Sequence, residues 1–257
     1  MRRHQVASDF DPDLLVRDAS LLLPDPARRQ FLKGSLSVGS LALLTGCSIL
    51  DSDTAENALR VVSEFNDRVQ AALFDPNRLA QEYTPADITR PFPFNAFYKE
   101  DKAPEIDAAD WTLEVDGDVA DKTPWTLDKL AALPQASQIT RHICIEGWSA
   151  VGQWSGVPLA LFLKRIGADT RRKYVAFKCE DGYSTSLDMA TALHPQTQIT
   201  LQFAGETLPR KYGFPIKIRV PTKLGFKNPK HVTDLIVTDD YADGFWEKYG
   251  YNWFSGL

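Results

Sequence analysis

Apolar residues in the middle of this chain recur in short alternating runs rather than in long helical periods, and that pattern decides the fold class. Residues 111–119 alternate through Trp111, Leu113 and Val115 and close at Asp116-Gly117, as a strand does. Residues 137–146, 174–177, 198–203, 216–220 and 232–238 read as further strands. Turns fall at Asp181-Gly182, Ala204-Gly205 and Tyr212-Gly213. Short helices are expected at 126–133, with Thr126 as N-cap, at 158–166, with Gly167 past its end, and at 187–193. Strands and helices do not alternate as regular β-α-β units, so the expectation is a β-rich α+β domain and not a doubly wound sheet. No domain boundary is visible after residue 58, and one domain over 58–257 is expected.

The first residues read as an address. Arg28-Arg29-Gln30-Phe31-Leu32-Lys33 is similar to a twin-arginine export signal. Residues 34–45 are uncharged but fall short of the about 20 residues that a membrane span needs, as in the core of a signal peptide. A buried amphipathic helix is the competing reading; Gly34, Gly39 and the lack of a helical period count against it. Leu44-Thr45-Gly46-Cys47 resembles a lipobox, in which Cys47 would be lipidated; plain cleavage nearby would leave a free thiol. The expected organisation is a signal peptide over 1–46, a tether over 47–57 and a periplasmic domain, anchored to the membrane if Cys47 is acylated. The twin-arginine route carries folded proteins, so the resemblance also favours a cofactor inserted before export.

Residues 58–74 place Leu59, Val62, Phe65, Val69, Ala72 and Leu73 at helical spacing. Residues 85–104 cannot be a regular helix or a central strand, because Pro85, Pro91, Pro93 and Pro104 interrupt them. With Phe92, Phe94, Phe97 and Tyr98 the stretch is too apolar for a free linker, and it is expected to lie pinned across the domain. The net charge of -5 argues against general affinity for nucleic acid. Three cysteines cannot supply an ordinary iron–sulfur cluster or a disulfide scaffold, and no C-x-x-C-H haem site occurs.

Two segments can carry chemistry. In Arg141-His142-Ile143-Cys144-Ile145-Glu146-Gly147-Trp148 a continued strand would point His142, Cys144 and Glu146 to one side. A thiolate there suits a soft redox metal, and Arg141 or His142 would lower its pKa. A structural cysteine, or a disulfide between Cys144 and Cys179, are the plainer readings. The second segment is basic: Lys217, Arg219, Lys223, Lys227 and Lys230, with a loop at Gly225 and Asn228-Pro229, suit a phosphate or form a solvated edge. His231 beside them could bond a phosphate or a pterin nitrogen.

Taken with Asn95-Ala96-Phe97-Tyr98-Lys99, Tyr174-Val175-Ala176-Phe177 and the run Gly213 to Pro221, these segments resemble the molybdopterin domain of the sulfite oxidase family. The likeness is to its haem-free bacterial branch, that of the periplasmic methionine sulfoxide reductases. The resemblance implies the sulfite oxidase molybdopterin-binding fold and a molybdenum–molybdopterin cofactor. It makes Cys144 the catalytic thiolate on the metal, and it gives Asn95, Tyr98, Lys99, Cys179, Lys217, Asn228, Pro229 and Lys230 contacts with the pterin and its phosphate. Lys217 stands where the family commonly has Arg, Cys179 where it often has Thr, and Tyr212 where this branch has Asn.

An oxidoreductase of the cell envelope follows, transferring an oxygen atom to or from a small molecule, with sulfoxide reduction ahead of sulfite oxidation. Electrons would come from or go to a separate partner, a membrane or periplasmic cytochrome. The enzyme would be a monomer or in complex with that partner, with no nucleic acid. The rivals are a metal-free lipoprotein binding an anionic ligand at the basic loop and a thiol redox protein using Cys144 and Cys179.

Overall fold

The expected alternation is realised in two sheets. In the computed structural model, which describes residues 52–241 and 243–257, β1 (Thr112–Gly117) buries Leu113 and Val115 and exposes Glu114 and Asp116. The signal, the lipobox motif and the start of the tether lie outside the described residues. The first sheet runs β2 (Trp125–Thr126), β1, β10 (Val232–Thr238), β5 (Tyr174–Cys179), β6 (Ser184–Asp188). Its one parallel pair, β1 with β10, aligns Val115 with Leu235. The second sheet is antiparallel: β3 (Ala136–Ile143), β4 (Ser149–Pro158), β7 (Gln198–Phe203) and β8 (Glu206–Thr207), with β9 (Lys217–Arg219) also on β7.

Four α-helices are described: α1 (Ser52–Leu73), α2 (Leu127–Ala131), α3 (Leu159–Arg165) and α4 (Met189–Ala192). Phe162 and Leu163 of α3 pack with Val157, Phe177, Ile199, Ile218 and Leu235 from both sheets in one core. Fully burying such a side chain contributes about 1.5–3 kcal/mol relative to leaving it exposed. Thr126 caps α2 by accepting from the Lys129 N–H at 3.3 Å, as the sequence predicts, and Gly167 follows α3 in the left-handed region at φ 63°.

β4 has no counterpart among the expected strands. Gly152, Gly156 and Pro158 give its sequence the look of a breaker, yet Gly156 is required there. A Cβ on it would fall 2.0 Å from the Ile199 carbonyl oxygen, where the β4–β7 register shifts. β6 was also not expected. The helix predicted at 187–193 is shortened, because Leu187 and Asp188 finish β6 and Asp188 then caps α4, accepting from the Thr191 N–H at 2.8 Å. The tether is shorter than predicted, since α1 begins at Ser52.

The proline-rich stretch is pinned as expected. Apart from 3-10 turns at Pro85–Asp87 and Glu100–Lys102 it is irregular. Phe92 enters a second apolar cluster with Trp154, Leu208 and Tyr212, and the Tyr212 hydroxyl donates to the Phe92 carbonyl at 2.6 Å. Tyr212 therefore fixes the arm from beneath. At the other end, Gln70 of α1 donates to Asn252 at 3.0 Å and accepts from the Gly256 N–H at 2.9 Å. α1 thus turns polar residues to the C-terminal tail, and its predicted apolar stripe, including Val62, Phe65 and Leu73, is exposed.

Candidate active site

The β3–β4 hairpin ends in the segment that carries Cys144. β3 stops at Ile143, so Cys144 does not continue the strand as predicted but opens a tight turn. Its N–H donates to the Trp148 carbonyl at 2.9 Å, and the Gly147 N–H donates back to Cys144 at 3.2 Å. Gly147 sits at φ 91°, where a side chain is strained. The turn leaves the thiol 3.7 Å from the Glu146 carboxylate, which also accepts from the Trp148 indole at 3.0 Å. Burial pushes the Cys144 thiol above its ordinary value, and the Glu146 carboxylate adds to this against the opposing hydrogen bond from the Glu146 backbone. The expected lowering by Arg141 or His142 is therefore not seen. Arg141 lies over the Tyr83 ring, and burial beside Lys217, Arg219 and Lys230 holds His142 well below its usual value.

Cys144 lines a cavity of about 140 Å³ together with Asn95, Tyr98, Asn228, Pro229 and Lys230, so the fold brings together residues from three distant segments. Asn95 is held twice: its carbonyl accepts from the Lys230 ammonium, and its side-chain nitrogen lies 3.2 Å from His142 Nε2. Tyr98 donates to Asp181 at 3.0 Å, and burial and that carboxylate raise its pKa. Asn228 turns its carbonyl oxygen inward, accepting from Arg219 and from the Val220 N–H at 2.8 Å each. Burial lowers Lys230 to about 8.

Three predicted residues do not line this cavity. Lys99 is exposed at the start of a 3-10 turn. Cys179 packs in the main core; its thiol is free, as is that of Cys144, and burial raises its pKa well above the ordinary value. Lys217 is buried with its ammonium 5.0 Å from the Trp154 ring centroid, and burial followed by Lys230 and Arg219 drives it well below its usual value. The basic segment is in fact divided. Lys217, Arg219 and Lys230 gather near His142, whereas Lys227 pairs with Glu247 at 2.7 Å and Lys223 with Asp188 at 3.6 Å. Sequence reasoning missed the cavity residues Asp181, Tyr183, Phe226, Trp246 and Tyr251. Asp181 was visible only as a turn residue, and nothing in the local sequence points Trp246 and Tyr251 toward Cys144.

The donor set fits a molybdenum pterin. Cys144 offers one soft ligand. Lys217, Arg219 and Lys230 are buried with no carboxylate within 4 Å among the described residues, a charge arrangement that calls for an anion such as a phosphate. His142 Nδ1, Arg219 Nε and His231 Nε2 are buried without a hydrogen-bond partner among the described residues. His231 is fixed in the left-handed region at φ 52° by a 2.7 Å contact between Nδ1 and the Phe214 carbonyl.

Known proteins agree with that chemistry. A subunit of Azospira oryzae (strain ATCC BAA-33 / DSM 13638 / PS), provisionally named protein-methionine-sulfoxide reductase subunit YedZ1, is 59% identical over 240 residues, covering 93% of this chain and 92% of that one. The protein-methionine-sulfoxide reductase catalytic subunit MsrP of Burkholderia mallei (strain ATCC 23344) is 32% identical over 55% of this chain and 48% of its own. MsrP of Xanthomonas axonopodis pv. citri (strain 306) is 30% identical over 70% and 64%. Among solved structures, the sulfane dehydrogenase SoxCD of Paracoccus pantotrophus shares the fold at a TM-score of 0.51 and 20% identity, over 56% of this chain and 41% of that one. The family description "Oxidoreductase molybdopterin binding domain" matches residues 100–246, which hold Cys144, Asp181 and the basic strand, so the chain is a molybdopterin-dependent oxidoreductase of that family, with the sulfite-oxidase-like fold.

Proposed function

We propose that this chain is the catalytic subunit of an envelope enzyme that reduces methionine sulfoxide in proteins. The observation that carries the reading is the convergence of Cys144 with Asn95, Tyr98, Asn228, Pro229 and Lys230 on one cavity, in a chain 59% identical over most of its length to a subunit provisionally named for that activity. The reaction consumes two electrons and two protons per sulfoxide and yields a thioether and water. The cofactor, when bound, supplies two-electron oxygen-atom transfer at molybdenum. The chain's own residues hold and orient it. Cys144 is the protein ligand to the metal. Asn95, Tyr98, Asn228 and Pro229 frame the pterin, and Lys217, Arg219 and Lys230 neutralise its phosphate. Lys99 and Cys179 act from outside the cavity. Glu146 and Asp181 are carboxylates at the cavity wall, and the Tyr98 hydroxyl keeps its proton on the hydrogen bond to Asp181.

Residues 1–46 serve as a twin-arginine signal, Cys47 as a lipidated mature N-terminus, and the periplasm as the place of work. Among the described residues no helix is long and apolar enough to cross a membrane, and a separate membrane cytochrome supplies the electrons. The test is to purify the chain from a host that makes the cofactor, beside Cys144→Ala, and to measure molybdenum and the reduction of an oxidised protein with a reduced viologen dye. About one molybdenum per parent chain with turnover of the sulfoxide, and loss of turnover in Cys144→Ala, is the expected result. A parent that binds molybdenum but oxidises sulfite and leaves sulfoxides untouched would overturn the substrate.

A further inference from the structure

Part of the cavity wall is built of aromatic residues that make a closed circuit of contacts. Phe97 stacks on Phe245 with centroids 4.5 Å apart and on Tyr183 at 6.1 Å. Phe245 meets Trp246 at 5.2 Å, Trp246 meets Tyr251 at 5.2 Å, and Tyr251 meets Phe226 at 6.0 Å. The Tyr183 hydroxyl closes the circuit by donating to the Phe226 carbonyl at 2.6 Å. All but Phe245 line the cavity that contains Cys144. Phe97 and Tyr251 lie outside the residues that match the family.

We infer that this aromatic circuit is a specificity element that receives an apolar side chain next to the methionine sulfoxide of a polypeptide substrate; the inference rests on the sulfoxide reading above. A group reaching Cys144 shares the cavity with these rings. Phe97 is 40% and Ile145 45% exposed, so apolar surface continues from the cavity wall out to solvent. A lone small sulfoxide would leave that outer surface wet, whereas a leucine or phenylalanine beside the oxidised methionine would cover it and gain the burial of its own side chain. The hydroxyl of Tyr183 is already committed to Phe226, so that residue offers a ring rather than a polar group. Phe97, Phe226 and the Tyr183 ring therefore select by apolar contact, a mode that changes affinity more than the chemical step.

The test uses the full-length, molybdenum-loaded enzyme with a reduced viologen as donor and two synthetic hexapeptides, one with leucines and one with serines flanking a central methionine sulfoxide. The parent should reduce both, with a KM about tenfold lower for the leucine peptide and similar kcat. Phe97→Ala, matched for molybdenum content, should lose that preference by raising only the leucine-peptide KM. Phe97→Tyr, which keeps the ring, should retain it. A parent that reduces both peptides with equal KM, or a Phe97→Ala that keeps the preference, overturns the role of the circuit and leaves sulfoxide reduction standing. A molybdenum-loaded parent that reduces neither peptide overturns the sulfoxide reading, and this inference with it.

Discussion

The side-chain amide of Asn95 lies 3.2 Å from Nε2 of His142, so the proline-rich arm is tied to the strand that delivers Cys144. His142 is buried and its pKa is held far down by burial and the neighbouring cations, so the ring is neutral and can accept from the amide. Asn95→Ala removes that bond while the Lys230 contact to the backbone carbonyl survives. Molybdenum retained after dialysis should fall by about tenfold, the scale seen when outer supports of a metal site are removed. Elemental mass spectrometry on folded protein checks this.

Lys227 and Glu247 form a buried ion pair that joins the basic loop to the C-terminal segment. Glu247→Gln leaves a buried ammonium without its counter-charge and should cost about 3–5 kcal/mol. The double substitution Lys227→Met with Glu247→Leu should cost less than Glu247→Gln alone. Denaturant unfolding of the three proteins measures the difference.

Lys230 and Lys223 have folded pKa values of about 8 and about 7, against 10.5 for an ordinary lysine. The unfolded chain then binds more protons than the folded one between those values and pH 10.5, so each group makes stability rise with pH across that window. Below about pH 7 both states are protonated and the slope from these groups vanishes. The cofactor-free chain should therefore gain stability from about pH 7 to about 10, and Lys230→Met should flatten the upper part of that rise. Loading the anionic cofactor should flatten it too, by holding Lys230 charged. Melting curves over pH, with and without cofactor, test the sign.

Gly156→Ala should be among the most damaging single substitutions. The added carbon would meet the Ile199 carbonyl at 2.0 Å, and both partners are backbone, so neither can swing away. A loss of about 3 kcal/mol or more is expected, at the high end of overpacking costs. Soluble yield and the denaturant midpoint would show it.

Much of the site was legible because two of its segments carry unusual residues in a readable order. Cys144 beside His142 and Glu146, and Asn228-Pro229-Lys230 within a basic stretch, announce chemistry before any fold is known. Alternation also gave most strands. It failed at β4, where a required close approach selects Gly156 and disguises the strand as a loop. Lys217, to which the family resemblance gave a contact with the cofactor, holds its ammonium over the Trp154 ring and not at the cavity wall, a placement that alternation along the strand does not encode. Periodicity says which side of a strand a residue faces and not which loops meet at its end. Asp181, Trp246 and Tyr251 reach the cavity through such meetings, and composition carries no trace of them.

The parallel pairing of β1 with β10 places Glu114 beside Asp234, residues far apart in the sequence. Asn95 likewise waits on Lys230 to be secured. A ribosome that has released only the first two thirds of this chain has therefore made neither the central pair of the first sheet nor a finished wall for the pterin. Contacts of such long range close slowly, because the intervening chain must be ordered first. Cofactor insertion is consequently a post-translational event by topology, because the wall that would hold the pterin is finished only once the last third of the chain has been made.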